Sequence, residues 1–220
     1  MMSQPLETKT RTVKPTNGSG QNGGWGGDGD PWRGGNEFPI PTGKIGLWLL
    51  LAAIVIMFAG FTSAYIVRSG AEDWRPLVMP TILWFNSAVL VLSSLTMHLS
   101  LMSVRSRWGQ DGKLMLWLSL TVLLGIVFLG GQWTAWRQLV QQGVYLHTNP
   151  ASSFFYLLTA MHGIHLIGGL AFLIYVLAHA ARHRYTPKQH LPVELCATYW
   201  HFLDGLWLYL FVFLFIIHPG

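Results

Sequence analysis

A chain of 220 residues could fold as one or two soluble domains, but 51% of this one is hydrophobic and only 10% charged. With a mean hydropathy of +0.39, that composition argues against a soluble protein. The formal charge of +5 does not read as a nucleic-acid footprint, because the basic residues lie between apolar spans, where they act as topology signals. The single cysteine, Cys196, excludes an internal disulfide and a cysteine-based metal cluster, and reads as a small apolar core residue.

Residues 1–42 are expected to form a disordered tail. Its GSGQNGGWGGDGDPWRGG stretch packs nine glycines between Gly18 and Gly35, which is too much backbone entropy for a core, and a PIP turn closes the segment. It does not have the layout of a signal peptide, since the apolar run comes late and no small-residue cleavage site follows it.

Residues 43–220 carry five apolar runs, at about 45–67, 81–104, 114–136, 152–180 and 192–217. The first holds 23 residues without a charge, roughly 35 Å as a helix, enough to cross the ~30 Å hydrocarbon core. Backbone groups in lipid must be satisfied within each segment, so all five runs are expected to be helices. Many of the eleven tryptophans sit near the ends of the runs, as in interfacial belts. Short loops predict an all-α integral membrane protein, a bundle of five antiparallel helices.

Lys9, Arg11, Lys14, Arg33 and Lys44, together with Arg105, Arg107, Lys113, Arg182, Arg184 and Lys188, fall on one side of that bundle. Only Arg68, Arg75 and Arg137 fall on the other. The bias places the amino terminus in the cytoplasm and the carboxyl terminus in the periplasm. Ala59, Gly60, Gly125, Gly130, Gly131, Gly163, Gly168 and Gly169 are expected where helix backbones approach closely.

Ionisable groups inside a membrane span are costly, about 2.5 kcal/mol or more for a charge at the centre, and therefore attract functional readings. The fourth run carries His162 and His165, and the fifth carries His201 and Asp204, with Glu194 nearer its start. His98 lies toward the end of the second run. His162, His165, His201 and Asp204 fall near mid-depth and could meet across one interface.

Three readings compete for this set. Histidines on facing helices could bind haem or a metal cluster, but a di-iron site wants about four carboxylates and a two-haem bundle wants wider histidine spacing. The set could instead form a proton or ion path, although no inverted repeat or broken helix is visible. Or it joins helices by interhelical hydrogen bonds, each worth ~0.6–2 kcal/mol in a membrane. On residue chemistry the third reading leads.

Several stretches also resemble a known family. YWHFLDGLWLYLF (residues 199–211) is similar to the closing-helix signature of subunit III of haem–copper respiratory oxidases, in its five-helix bacterial form, with Trp200, His201, Asp204 and Trp207 on matching positions and Glu194 at the acid opening that helix. SFFYLLTAMHGIHLIGG matches the fourth-helix pattern through Phe154, Phe155, His162, Gly163, His165 and Gly169. Asn86 with Ser93, and Gly125 with Gln132, match the second and third helices. The resemblance spans roughly residues 43–217. Two places depart from it: a glutamate often found in the first of these helices is Ile54 here, and the Glu-Tyr pair usual in the third is Ala135 and Trp136.

The resemblance implies a non-catalytic chain of a proton-pumping terminal oxidase in the bacterial cytoplasmic membrane. It implies no haem or copper on this chain, both being held by partner subunits, with subunit I, subunit II and possible small subunits as partners and phospholipid as ligand. On that reading His162, His165, His201, Asp204, Glu194 and Gln132 form a structural interhelical polar cluster, with His201 and Asp204 tied to His162 and His165 or to a nearby chain. Arg182, Arg184 and Lys188 are candidates for anionic lipid headgroups. Within the family an accessory subunit of a nitric oxide reductase is the alternative. Outside it stand a haem or metal membrane enzyme and a proton-coupled transporter.

Overall fold

The computed structural model describes residues 42–72, 74, 80–105, 111–147, 149–182 and 190–217. These residues form five helices, α1 (Thr42–Ser69), α2 (Ile82–Arg105), α3 (Asp111–Gln141), α4 (Pro150–Ala180) and α5 (Leu191–Ile217), each long and apolar enough to cross a membrane. Large apolar side chains such as Trp48, Ile56, Leu116, Trp133 and Ile164 face outward, as expected of a surface solvated by hydrocarbon.

Helices α2, α3, α4 and α5 close a four-membered ring in that order, and α1 lies outside it against α4 and α5. Consecutive α1 and α2 do not touch among the described residues. Both long sides of α2 are occupied, one by α3 and the other by α5, so α1 packs elsewhere.

The helices run past the apolar runs because local signals set their ends. α3 continues to Gln141 because Leu139 still faces inward and is fully buried. It stops where Gly143 takes φ +78 and the amides of Gly143 and Val144 bond back to Val140 and Leu139, a Schellman closure that favours glycine. α4 starts at Asn149-Pro150. The Asn149 side chain accepts from the Ala151 amide at 3.3 Å, and Pro150 takes a first-turn position that needs no N–H. Ser152 Oγ donates to Tyr145 O at 2.9 Å, Ser153 Oγ to Leu146 O, and Tyr156 Oη to Val144 O at 3.0 Å, which fastens the α3–α4 connection to the first turns of α4.

The buried face of α5 repeats every seven residues, through Val193, Trp200, Trp207 and Leu214. Trp200 is the largest fully buried side chain, and it fits because α3 offers Gly125, where a Cβ would lie 2.9 Å from the indole. At Gly131 a Cβ would stand 1.9 Å from Asn86 Oδ1 of α2, so the α2–α3 approach depends on its absence. Gly60, Gly130, Gly163 and Gly168, also expected at close approaches, meet no atom within 4 Å of a Cβ.

Gly131→Ala should therefore destabilise the isolated chain in detergent by about 1–3 kcal/mol through overpacking, whereas Gly163→Ala should stay within about 0.5 kcal/mol. Thermal unfolding followed by circular dichroism separates the two. Equal shifts would contradict the packing described.

Candidate functional site: polar joints between helices

Every pair of neighbouring helices around the ring carries a polar link. Between α2 and α5, Trp200 Nε1 donates to Ser93 Oγ at 2.7 Å, Trp207 Nε1 donates to Ser87 Oγ at 3.1 Å, and Ser94 Oγ shares a 2.7 Å hydrogen bond with His201 Nδ1. Thr96 and Thr121 hydroxyls join α2 to α3 at 2.9 Å. Trp136 Nε1 donates to Thr159 Oγ1 at 3.1 Å between α3 and α4. Tyr199 Oη donates to the His165 carbonyl at 3.2 Å between α4 and α5, its ring lying against Gly169.

The two indoles need such partners. An indole N–H in hydrocarbon has no water to bond, and leaving a buried donor unmade costs about 1–3 kcal/mol. Seven residues separate Trp200 from Trp207, so both point the same way, and Ser93 and Ser87 are spaced to meet them on an antiparallel neighbour.

The structure places the expected cluster at several locations. His201 and Asp204 face α2, not the histidines of α4. They line a groove of about 570 Å³ between α2 and α5, with Ser94 and the exposed His98, whose ring lies 6.3 Å from that of His201. Asp204 is 4% exposed, and its carboxyl lies beside the Ser94 hydroxyl that also meets His201; among the described residues neither carboxylate oxygen has a further hydrogen-bond partner. His162 is fully buried and points inward, its ring 5.2 Å from Trp207 and 6.0 Å from Phe128. His165 turns toward α1, 6.1 Å from the Phe58 ring, while its Nδ1 donates to Met161 O of its own helix at 2.7 Å. The four groups expected at one interface thus divide among three.

Gln132 is buried on α3, beside the Gly131 that receives Asn86. The side-chain amides of Asn86 and Gln132 and both ring nitrogens of His162 have no hydrogen-bond partner among the described residues. Glu194 stands in the first turn of α5, a favourable place for an acid. It meets Lys44 of α1 at 3.4 Å and accepts from His190 Nε2 at 3.0 Å. Arg182 lies exposed just beyond α4, and Arg184 and Lys188 lie outside the described residues. Cys196 is buried in the core. Ser87 and Ser94, which residue chemistry did not single out, receive Trp207 and His201; the seven-residue repeat of α5 was the signal that could have found them.

Among the described residues no group of three or more His, Cys, Asp or Glu could hold a metal ion. The imidazoles of α4 diverge, His162 toward Trp207 and His165 toward Phe58. This geometry defines a multi-pass α-helical membrane protein whose intramembrane polar groups link one helix to the next.

Comparison with known proteins narrows the class. Residues 32–218 match the family described as cytochrome c oxidase subunit III. The cytochrome c oxidase subunit 3 of Synechocystis sp. is 33% identical over 181 residues, covering 78% of this chain and 74% of the relative. That of Thermostichus vulcanus is 32% identical over 181 residues, covering 79% and 86%. The cytochrome bo(3) ubiquinol oxidase subunit 3 of Pseudomonas aeruginosa is 26% identical over 176 residues, covering 78% and 83%. The chain belongs to the cytochrome c oxidase subunit III family, and so functions as the third subunit of a haem–copper oxidase, associated with other subunits in a membrane complex.

A double-mutant cycle tests the main joint. Trp200→Phe and Ser93→Ala should each destabilise the chain, with a coupling energy of about 1 kcal/mol between them. Strict additivity would mean that the indole and the hydroxyl do not interact.

Proposed function

We propose that this chain is a non-catalytic integral subunit that supports assembly, holds phospholipid and sustains proton uptake by subunit I of an oxidase that reduces oxygen to water while pumping protons. Haem, copper and electron transfer belong to subunits I and II, including the choice of electron donor. The observation that carries this reading is how the signature helix uses its polar residues. Trp200, His201 and Trp207 all bond to serines of α2. Such groups stabilise a scaffold and leave chemistry to a neighbour.

In this proposal His162, His165, His201, Asp204, Glu194 and Gln132 are structural residues. Arg182, with Arg184 and Lys188, would meet anionic lipid headgroups, each basic residue worth roughly 1 kcal/mol near such a surface. The chain would sit in the bacterial cytoplasmic membrane with α1 starting at the cytoplasmic side, supported by eleven basic residues on that side against three on the other.

Gentle extraction of a tagged chain from its native membrane, followed by mass identification, should recover a haem–copper oxidase subunit I with its copper-bearing or quinol-binding subunit II. Recovery of the chain alone, or with only a nitric oxide reductase core, would defeat the proposal. For topology, alkaline phosphatase fused after α5 should be active and the same enzyme fused before α1 inactive. The reverse pattern would invert the orientation.

A further inference from the structure

The lipid-facing surface differs from one side of the bundle to another. Outward positions on α1, such as Val55 and Ile56, and on α3, such as Leu123 and Ile126, are hydrocarbon, as are Ile164 and Ile167 on α4. The α2/α5 groove instead combines apolar walls, including Leu95 and Leu208, with Ser94, His98, His201 and Asp204. His98 is exposed within a membrane span and forms no hydrogen bond to any described residue, and its ring lies 6.3 Å from that of His201. Ionisable side chains at such depth almost always face protein or a water-filled cavity and pair there. Acyl chains provide neither donor nor acceptor. Asp204 adds a second demand, a carboxyl lining the same groove that, among the described residues, has beside it only the Ser94 hydroxyl already shared with His201.

From this we infer that the α2/α5 groove is the docking surface for a transmembrane helix of the catalytic subunit, one that presents a hydrogen-bond-donating side chain level with His201. The inference rests on the subunit III reading above and adds the face by which the chain binds. A partner helix fits where a lipid does not, because it satisfies His98 and Asp204 while its apolar flanks cover Leu95 and Leu208. A second copy of this chain seated in the groove is one of the outcomes the test separates.

The test uses the intact complex in its native membrane. A photoreactive benzoyl-phenylalanine replaces Leu95 or Leu208 in the groove, or Ile126 or Ile164 on the other faces as controls. On illumination the groove positions should form adducts with the catalytic subunit, and the controls should not. In parallel, His98→Leu should reduce retention of this chain on the catalytic subunit about fivefold, the effect of losing one interhelical polar contact, while Ile126→Ala leaves it unchanged. Groove adducts with lipid, with a second copy or with a smaller subunit would overturn the inference, as would adducts with the catalytic subunit from Ile126 or Ile164. Because the parent chain is first shown to co-purify with the catalytic subunit, these results concern the face alone. Absence of that co-purification would instead remove the subunit III reading on which the inference stands.

Discussion

Two indole N–H groups buried between helices in a hydrocarbon solvent set the arrangement of this protein. Trp200 and Trp207 are too large to be accommodated twice and carry donors that cannot be left unmade. Their bonds to Ser93 and Ser87 fix how α5 is rotated and how far it is slid along α2. The rest follows from that register. Gly125 must lack a side chain because Trp200 fills its place, Phe128 packs edge-on to Trp207 at 4.9 Å, and His162 closes the same interior layer from α4. α1 is then held from outside, by Phe58 against His165 in the middle and by Tyr65 against Phe154 and Phe213 near its end. Lys44 and Glu194 join α1 to α5 where both helices begin, a contribution of at most about 1 kcal/mol because the pair is partly exposed.

The five helices could be read from the sequence because in lipid an apolar run of sufficient length has one way to satisfy its backbone. Their ends were less well read, although Asn149-Pro150 and Gly143 carried the signals. The site could be read in depth but not in direction. Counting from helix ends places His162, His165, His201 and Asp204 at one level, yet residues three apart on a helix still differ by roughly 60° in direction. That difference sends His162 to the interior and His165 to α1. His201 is one residue past the inward-facing Trp200, about 100° around the helix, which turns it toward Ser94. The order in which helices neighbour one another, with α2 between α3 and α5, depends on contacts far apart in sequence and had no local signal.

The departures from the family pattern also have a structural setting. Ile54 and Ala135, the places where the resemblance leads to an expectation of acids, are both buried, at 2% and 0% exposure, among apolar neighbours. An apolar residue there costs nothing to bury, whereas a carboxylate would need a partner. Asp204, a carboxyl near the middle of α5, lines the groove beside α2. The polar resources of this chain are thus concentrated along α2 and α5, with single links elsewhere, and α1 contributes mainly apolar packing.

The central claim is that the polar residues of α5 hold helices and subunits together and take no part in redox chemistry. The most direct test is the optical spectrum of the purified complex carrying His201→Ala, recorded alongside the amount of this chain retained per catalytic subunit. The account predicts that retention falls severalfold while haem absorption per catalytic subunit is unchanged. An altered haem or copper signal in a complex that keeps its full complement of this chain would contradict it.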